Sequence, residues 1–219
     1  MENREQLHRE LLQEWKTSKG YTEFCNDGIL IEKEYDKSTP KILFLLKETH
    51  DSFVNIGGHV GIPNNTNKIF WRMINIWLYV ITETWNERIP DFEKVSIIKE
   101  REVNSIAMVN VKKNANGTSK SYRKDILSYA IADKEFLVRQ IELINPDVIY
   151  CGGTLESFMK LFEYETINRH IYTSNKRLII SHHHPSSVTG YREPFEFFEY
   201  CLSKNDCQNA IKMLKAAKI

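Results

Sequence analysis

The chain has 219 residues, of which 42% are hydrophobic and 27% are charged, with 30 Lys and Arg against 29 Asp and Glu. This composition is typical of an ordinary globular domain, and it excludes a disordered chain and a histone-like polycation. The four cysteines form no Cys-x-x-Cys pair, no apolar run approaches the roughly 20 residues of a membrane helix, and the charged start is unlike a signal peptide. A cytoplasmic protein that does not bind membranes is expected.

The first 40 residues predict a helix followed by an edge strand. Apolar residues recur at helical spacing between Leu7 and Trp15, and Gly20 is the expected end of this helix. The apolar residues after Gly28 indicate a short strand at the edge of a sheet, followed by a turn at 38–40. We expect these residues to extend a domain whose core lies further along the chain.

Four apolar segments alternate with helical sequence in the remaining chain. The predicted strands span 41–46, 105–111, 147–151 and 177–181, and the predicted helices span 68–84, 125–144, 154–163 and 194–217. Such alternation implies right-handed crossovers and a parallel sheet covered on both faces. We therefore predict one domain over residues 1–219, a three-layer α/β/α sandwich with a four-stranded parallel core sheet.

Polar residues lie at or near the carboxyl ends of three of the predicted strands. Glu48 ends the first strand, Asn110 lies in the second, and His184 follows the fourth. Ligands bind outside the carboxyl ends of the strands in such sheets. Each residue also has a structural interpretation, since Glu48 could cap a turn and Asn110 could be a satisfied core amide. Their joint occurrence at strand ends nevertheless favours an active site.

Three segments resemble the uracil-DNA glycosylase superfamily. The segment 104–112 is similar to the strand whose Asn reads the uracil edge, and 135–153 is similar to the helix, turn, strand and Gly unit that follows. His184-Pro-Ser-Ser matches the motif that carries the catalytic His and begins the minor-groove wedge loop. The likeness runs from about residue 41 to the C-terminus, and it implies the α/β/α fold of that superfamily.

The first motif of the superfamily is altered. Lys47-Glu48-Thr49-His50 lacks its Gly and Pro, and depending on the register either Glu48 or Thr49 falls where some branches place a water-activating Asp. Lys113 stands where the iron-sulfur branch has a Cys, and no N-terminal Cys pair exists. No cofactor and no metal are therefore expected.

The resemblance implies a monofunctional DNA glycosylase that hydrolyses the N-glycosidic bond of a flipped uracil or other modified base. The expected catalytic residues are Glu48, Thr49 and His184. Substrate binding is assigned to Asn110 for the base edge, to Phe53 or His59 for ring stacking, and to Gly152 and Ser186. DNA binding is assigned to Lys112, Lys113, Lys120, Val188, Tyr191 and Arg192, with Val188 and Tyr191 filling the space that the base leaves.

The charge pattern supports DNA as the partner. The stretches 52–82, 103–124 and 166–192 contain eleven Lys and Arg and no Asp or Glu. Because these stretches contain most of the loops, one positive side of a monomer that binds single- or double-stranded DNA is expected.

Two other functions are compatible with the sequence. His182 and His184, with His50 or Asp51, could ligate a transition metal in a hydrolase, although consecutive histidines are an unusual ligand spacing. Alternatively, the altered first motif could mark a catalytically idle protein of the same fold that binds nucleic acid or nucleotide.

Overall fold

The computed structural model describes residues 3–49, 68–96, 100–114, 122–187 and 190–218. Within these ranges the α-helices are α1 Arg4–Lys19, α2 Glu32–Lys37, α3 Lys68–Trp85, α4 Arg123–Ala132, α5 Lys134–Ile144, α6 Leu155–Leu161, α7 Glu193–Phe197 and α8 Asn205–Ala216. The strands are β1 Gly28–Ile29, β2 Ile42–Glu48, β3 Ile106–Lys112, β4 Val148–Gly152, β5 Glu165–Thr166, β6 Ile171–Ser174 and β7 Arg177–His182. None of these helices combines the length and apolar character needed to cross a membrane.

The seven strands form one mixed sheet in the order β1-β3-β2-β4-β7-β6-β5. β2 pairs in parallel with both β3 and β4, and β4 pairs in parallel with β7. β1 at one edge and β5 and β6 at the other are antiparallel. The predicted α/β class is confirmed, whereas the sheet is larger than predicted. β5 and β6 were missed because they are only two and four residues long, and both residues of β5 are exposed.

Side-chain alternation along the strands divides the core into two halves. Ile42 and Phe44 belong to a cluster with residues of α3, α7 and α8, whereas Leu43 and Leu45 belong to a cluster with residues of α1, α4, α5 and α6. All four of these side chains are completely buried. Helices therefore cover both faces of the sheet, which explains why the strand sequences are uniformly apolar.

The N-terminal segment contributes to the core. Trp15 of α1 is fully buried and stacks on Phe136 of α5, with 5.4 Å between the ring centres. Gly20 ends α1 in the left-handed conformation, as the sequence predicted. The predicted edge strand is limited to β1, because the residues after it form the short helix α2.

Two long predicted helices are divided in the structure. The segment 125–144 forms α4 and α5, which are separated by Asp133. The segment 194–217 forms α7, a π-helix over Phe198–Leu202, and α8. Apolar periodicity continues across these breaks because the separate helices bury the same side of the sheet.

A buried polar network joins the chain before β1 to β3 and α5. Asp27 and Lys113 form an ion pair in which both side chains are 0% exposed. The Asp27 carboxylate also accepts hydrogen bonds from the Asn110 backbone N–H at 2.7 Å, from its side-chain amide at 3.1 Å, and from Gln140 Nε2 at 3.1 Å. Because its charge and acceptor sites are used, Asp27 can remain buried.

We expect Gly28→Ala to lower the free energy of unfolding by about 1–3 kcal/mol, the usual cost of forcing atoms into a packed site. A Cβ on Gly28 would lie 2.1 Å from Cε1 of His8, and the backbone φ of 153° is unfavourable for other residues. Urea denaturation measures the change. The double variant with His8→Ala should recover part of the loss, and equal losses in both variants would contradict the steric explanation.

Candidate functional site

The carboxyl ends of β2, β4 and β7 meet at a pair of glycines. A Cβ on Gly152 would lie 2.8 Å from Leu46 Cδ2 and 3.4 Å from Pro185 Cδ, so a side chain there would collide with its neighbours. Gly153 N–H donates hydrogen bonds to the carbonyls of Cys151 and His182 at 2.9 and 2.8 Å. β4 alone separates β2 from β7, and this spacing places their ends roughly 10 Å apart.

Glu48 is held by a cation at the end of β2. Its carboxylate accepts a hydrogen bond from Lys112 Nζ at 2.6 Å, and the two side chains are 4% and 6% exposed. The parallel register of β2 and β3 places the two residues side by side. The predicted catalytic carboxylate is therefore at the predicted edge, with a cation as its neighbour. Thr49 follows it and is half-buried.

Asn110 is part of the network around Asp27. Its side chain is 3% exposed, and the amide Nδ2 donates to Asp27 at 3.1 Å. Nδ2 also donates to Cys25 Sγ at 3.7 Å, so both N–H groups of the amide have partners within the protein. The structural interpretation of Asn110 as a satisfied core amide describes most of its contacts.

His184 lies directly after β7 and is oriented by two contacts. Its ring stacks on Phe70 of α3, with 5.7 Å between ring centres and 21° between planes. The backbone N–H of Ser186 donates to Nδ1 at 3.2 Å. Because Nδ1 acts as an acceptor, a neutral His184 has its proton on Nε2. The imidazole can therefore donate a hydrogen bond from Nε2.

His182 occupies an aromatic pocket. Its ring centre lies 4.8 Å from those of Trp77 and Phe197, and its Nε2 is 3.6 Å from a Glu193 carboxylate oxygen. Burial lowers the pKa of His182 to about 4, with smaller contributions from the neighbouring His183 and His170. Burial also raises the pKa of Glu193. His182 is therefore a neutral packing residue at neutral pH.

The alternative metal site receives no support from the described residues. His182 and His184 both face α3, where they contact Trp77 and Phe70. Within the described ranges, no group of three or more His, Cys, Asp or Glu side chains is arranged to hold a metal ion. The other proposed ligands, His50 and Asp51, lie outside the described residues, as do Phe53, His59, Lys120 and Val188.

The structure corrects two of the predicted DNA contacts. Lys113 is completely buried in its ion pair with Asp27, and Lys112 is 6% exposed against Glu48. Neither ammonium group is on the surface where a phosphate would lie. Lys112 and Lys113 stand together at the end of an apolar strand. This local pattern does not predict that each lysine forms an ion pair with an acid distant in the sequence.

Tyr191 is half-buried and packs against the core, whereas the next residue, Arg192, is exposed. The Arg192 guanidinium lies 5.0 Å from the ring centre of Phe92, and the Arg72 guanidinium lies 4.1 Å from the ring centre of Tyr191. Both arginines are exposed. Arg72 is not among the predicted DNA contacts, because it lies within an apolar helix and no motif marks it.

The acid-free stretches are less positive in the structure than their sequence indicates. Acids from elsewhere neutralise several of their cations, in the pairs Lys112–Glu48, Lys113–Asp27, Arg123–Glu156 and Arg177–Glu142. Arg72 and Arg192 have no such carboxylate partner within the described part of the chain. The acid-free stretches therefore supply fewer unpaired cations than predicted. Of those without a carboxylate partner, Arg72 lies two residues from Phe70, which contacts His184.

Comparison with models of known protein families and with curated protein sequences finds no match for this chain. The geometry of the site is therefore the basis for assigning a function. Its main features are the ion-paired Glu48, the glycine pair and the oriented His184.

We expect the stability of the fold to decrease as the pH falls from about 6.5 to about 4. In this interval the unfolded chain protonates His182, whose ordinary pKa is 6.5, whereas the folded protein does not, so the unfolded state binds more protons. His8 acts in the same direction, because burial lowers its pKa to about 4. Urea denaturation at several pH values should show a shallower pH dependence for His182→Phe. An unchanged pH dependence would contradict this assignment.

Proposed function

We propose that the protein is a DNA glycosylase of the uracil-DNA glycosylase type, with a three-layer α/β/α architecture. The observation that carries the proposal is the Nε2–H of His184, oriented by Ser186 and Phe70 at a strand end roughly 10 Å from that of Glu48. This distance between strand ends is long enough for a nucleoside to lie between an imidazole donor and a carboxylate.

The chemistry of N-glycosidic cleavage requires both groups. As the bond breaks, negative charge grows on the base and positive charge grows on the sugar. A neutral imidazole that donates from Nε2 stabilises the developing anion at the base O2. The Glu48 carboxylate stabilises the sugar cation or orients the attacking water. Lys112 keeps this carboxylate in place through its hydrogen bond.

Recognition of the base is assigned to Asn110. Asp27 binds one N–H of its amide and thereby fixes the orientation of the group. The amide oxygen can accept the N3–H of a uracil edge, and the N–H that contacts Cys25 Sγ can exchange this weak acceptor for the O4 of the base. Because Asn110 is only 3% exposed, a base must enter the site deeply to reach it.

A catalytically idle nucleic-acid-binding protein is the second candidate. It is favoured by the internal contacts of Glu48 and Asn110, whose polar groups are already bound by Lys112 and Asp27. In such a protein the same residues would only stabilise the strand ends.

Cleavage of modified oligonucleotides distinguishes the two candidates. The protein is incubated with single- and double-stranded oligonucleotides that each contain one modified base, beginning with uracil, and abasic sites are detected as alkali-sensitive breaks. Abasic sites at one type of base support the glycosylase. Tight binding without any abasic site would favour the idle protein.

We expect His184→Ala to slow the cleavage step by about a hundredfold or more with little change in DNA affinity, because its hydrogen bond strengthens mainly in the transition state. Single-turnover rates at saturating protein measure the step. His183→Ala is the matched control, since that exposed neighbour is outside the site. Equal rates for wild type and His184→Ala would contradict the assigned role.

We expect Arg72→Gln and Arg192→Gln each to weaken DNA binding of any sequence. Each lost phosphate contact should reduce the slope of log K against log salt by about 0.9 for duplex and about 0.7 for single-stranded DNA. Fluorescence anisotropy at several salt concentrations measures these slopes. The control Arg139→Gln removes an arginine that is bound to Glu14. Slopes equal to wild type in both surface variants would exclude this surface.

A further inference from the structure

A second concave site lies on the other side of the glycine pair. It is a cleft of about 240 Å³ between α4 and α6, lined by Lys47, Arg123, Glu156 and Ser157 and by the apolar side chains of Leu127 and Leu155. Lys47 immediately precedes Glu48, and the backbone of Gly153 forms part of the wall. The cleft thus adjoins the candidate active site without including its proposed catalytic residues.

Lys47 provides a cation without a partner. No ion pair or hydrogen bond of its ammonium group is found among the described residues. Its side chain crosses the Gly153 backbone, where an added Cβ would lie 3.1 Å from Lys47 Cε and 3.5 Å from Nζ. Gly153 has a φ of 72°, which glycine adopts at little cost. The glycine therefore provides the space in which the ammonium group reaches the cleft.

Ser157 provides a hydroxyl in the wall of the cleft. The residue is 3% exposed and lines the cleft, and its hydroxyl makes no hydrogen bond within the described ranges. The neighbouring Thr154 differs, because its hydroxyl donates to the Leu45 carbonyl at 2.7 Å. The Ser157 hydroxyl can therefore donate a hydrogen bond to a ligand in the cleft.

Arg123 and Glu156 form an ion pair across the cleft, and their side chains are 77% and 47% exposed. Such an exposed pair contributes little to stability, so Arg123 can exchange the carboxylate for a stronger anion. Together with Lys47, the lining carries a net charge of +1. This charge suits one anionic group, and the planar guanidinium of Arg123 suits phosphate oxygens.

We propose that this cleft binds a nucleotide through its phosphate. Lys47 and Arg123 contact the phosphate oxygens, the Ser157 hydroxyl donates to one of them, and Leu127 and Leu155 pack against the sugar and base. The volume and the apolar wall favour a nucleotide over inorganic phosphate. The nucleotide is either free or part of a DNA strand. In the second case it is the neighbour of the flipped nucleotide, and that case rests on the proposed function.

Binding of three probes tests the proposal. Inorganic phosphate, thymidine monophosphate and a single-stranded oligothymidine are titrated into the protein, with backbone amide NMR shifts as the readout. The largest shifts should occur at Gly153 and Ser157, and thymidine monophosphate should bind more tightly than phosphate. Binding of the oligonucleotide alone would identify the strand as the source. Failure of both nucleotide probes to shift these amides would overturn the proposal.

Matched variants assign the contacts. Lys47→Met retains the alkyl chain and should weaken nucleotide binding about tenfold or more, because it removes a charge-assisted contact. Ser157→Ala should weaken it by about three- to tenfold. Lys134→Met, an exposed lysine on α5, is the control and should bind normally. Normal binding by Lys47→Met would overturn the proposal even if the amides shift.

The outcome is separable from that of the proposed function. Nucleotide binding that depends on Lys47, in a protein that produces no abasic sites, supports the cleft and rejects the glycosylase. Abasic-site formation together with nucleotide binding that does not depend on Lys47 supports the glycosylase and rejects the cleft.

Discussion

The candidate site depends on the ion pair and hydrogen bonds of the buried Asp27 carboxylate. This carboxylate neutralises Lys113, accepts two hydrogen bonds from Asn110, and connects the chain before β1 to α5 through Gln140. Removal of one member of such a network leaves a buried charge or donor without its partner, at a cost of about 3–5 kcal/mol. The network therefore fixes the end of β3, and with it the position from which Lys112 reaches Glu48.

Strand order then determines which strand ends become neighbours. Because β2 lies between β3 and β4, its carboxyl end is flanked by Lys112 on one side and by the glycine pair on the other. β7 adds His184 at the next position. The absence of side chains at Gly152 and Gly153 lets Leu46, Lys47 and the His184 loop approach the same backbone. One short turn thereby separates the candidate active site from the cleft between α4 and α6.

The charges of the two sites follow from the same arrangement. Most cations near the carboxyl edge are paired with acids, as in Lys112–Glu48 and Arg123–Glu156. Lys47, Arg72 and Arg192 are exceptions within the described part of the chain. They lie on two sides of the glycine pair. Under the proposed function, a DNA strand with one base in the site would therefore have a cation on either side.

The sequence by itself determined the elements whose burial is regular. Apolar runs located β2, β3, β4 and β7 to within about two residues, and the strand-end rule placed Glu48 and His184 at one edge. Tertiary structure decided the charge partners, because Asp27 and Lys113 are 86 residues apart and Glu48 and Lys112 are 64 apart. A local sequence pattern predicts burial, because the residues of one helix or strand pack against the same core. Pairing between distant residues is set by strand order, and no single segment of the sequence contains that information.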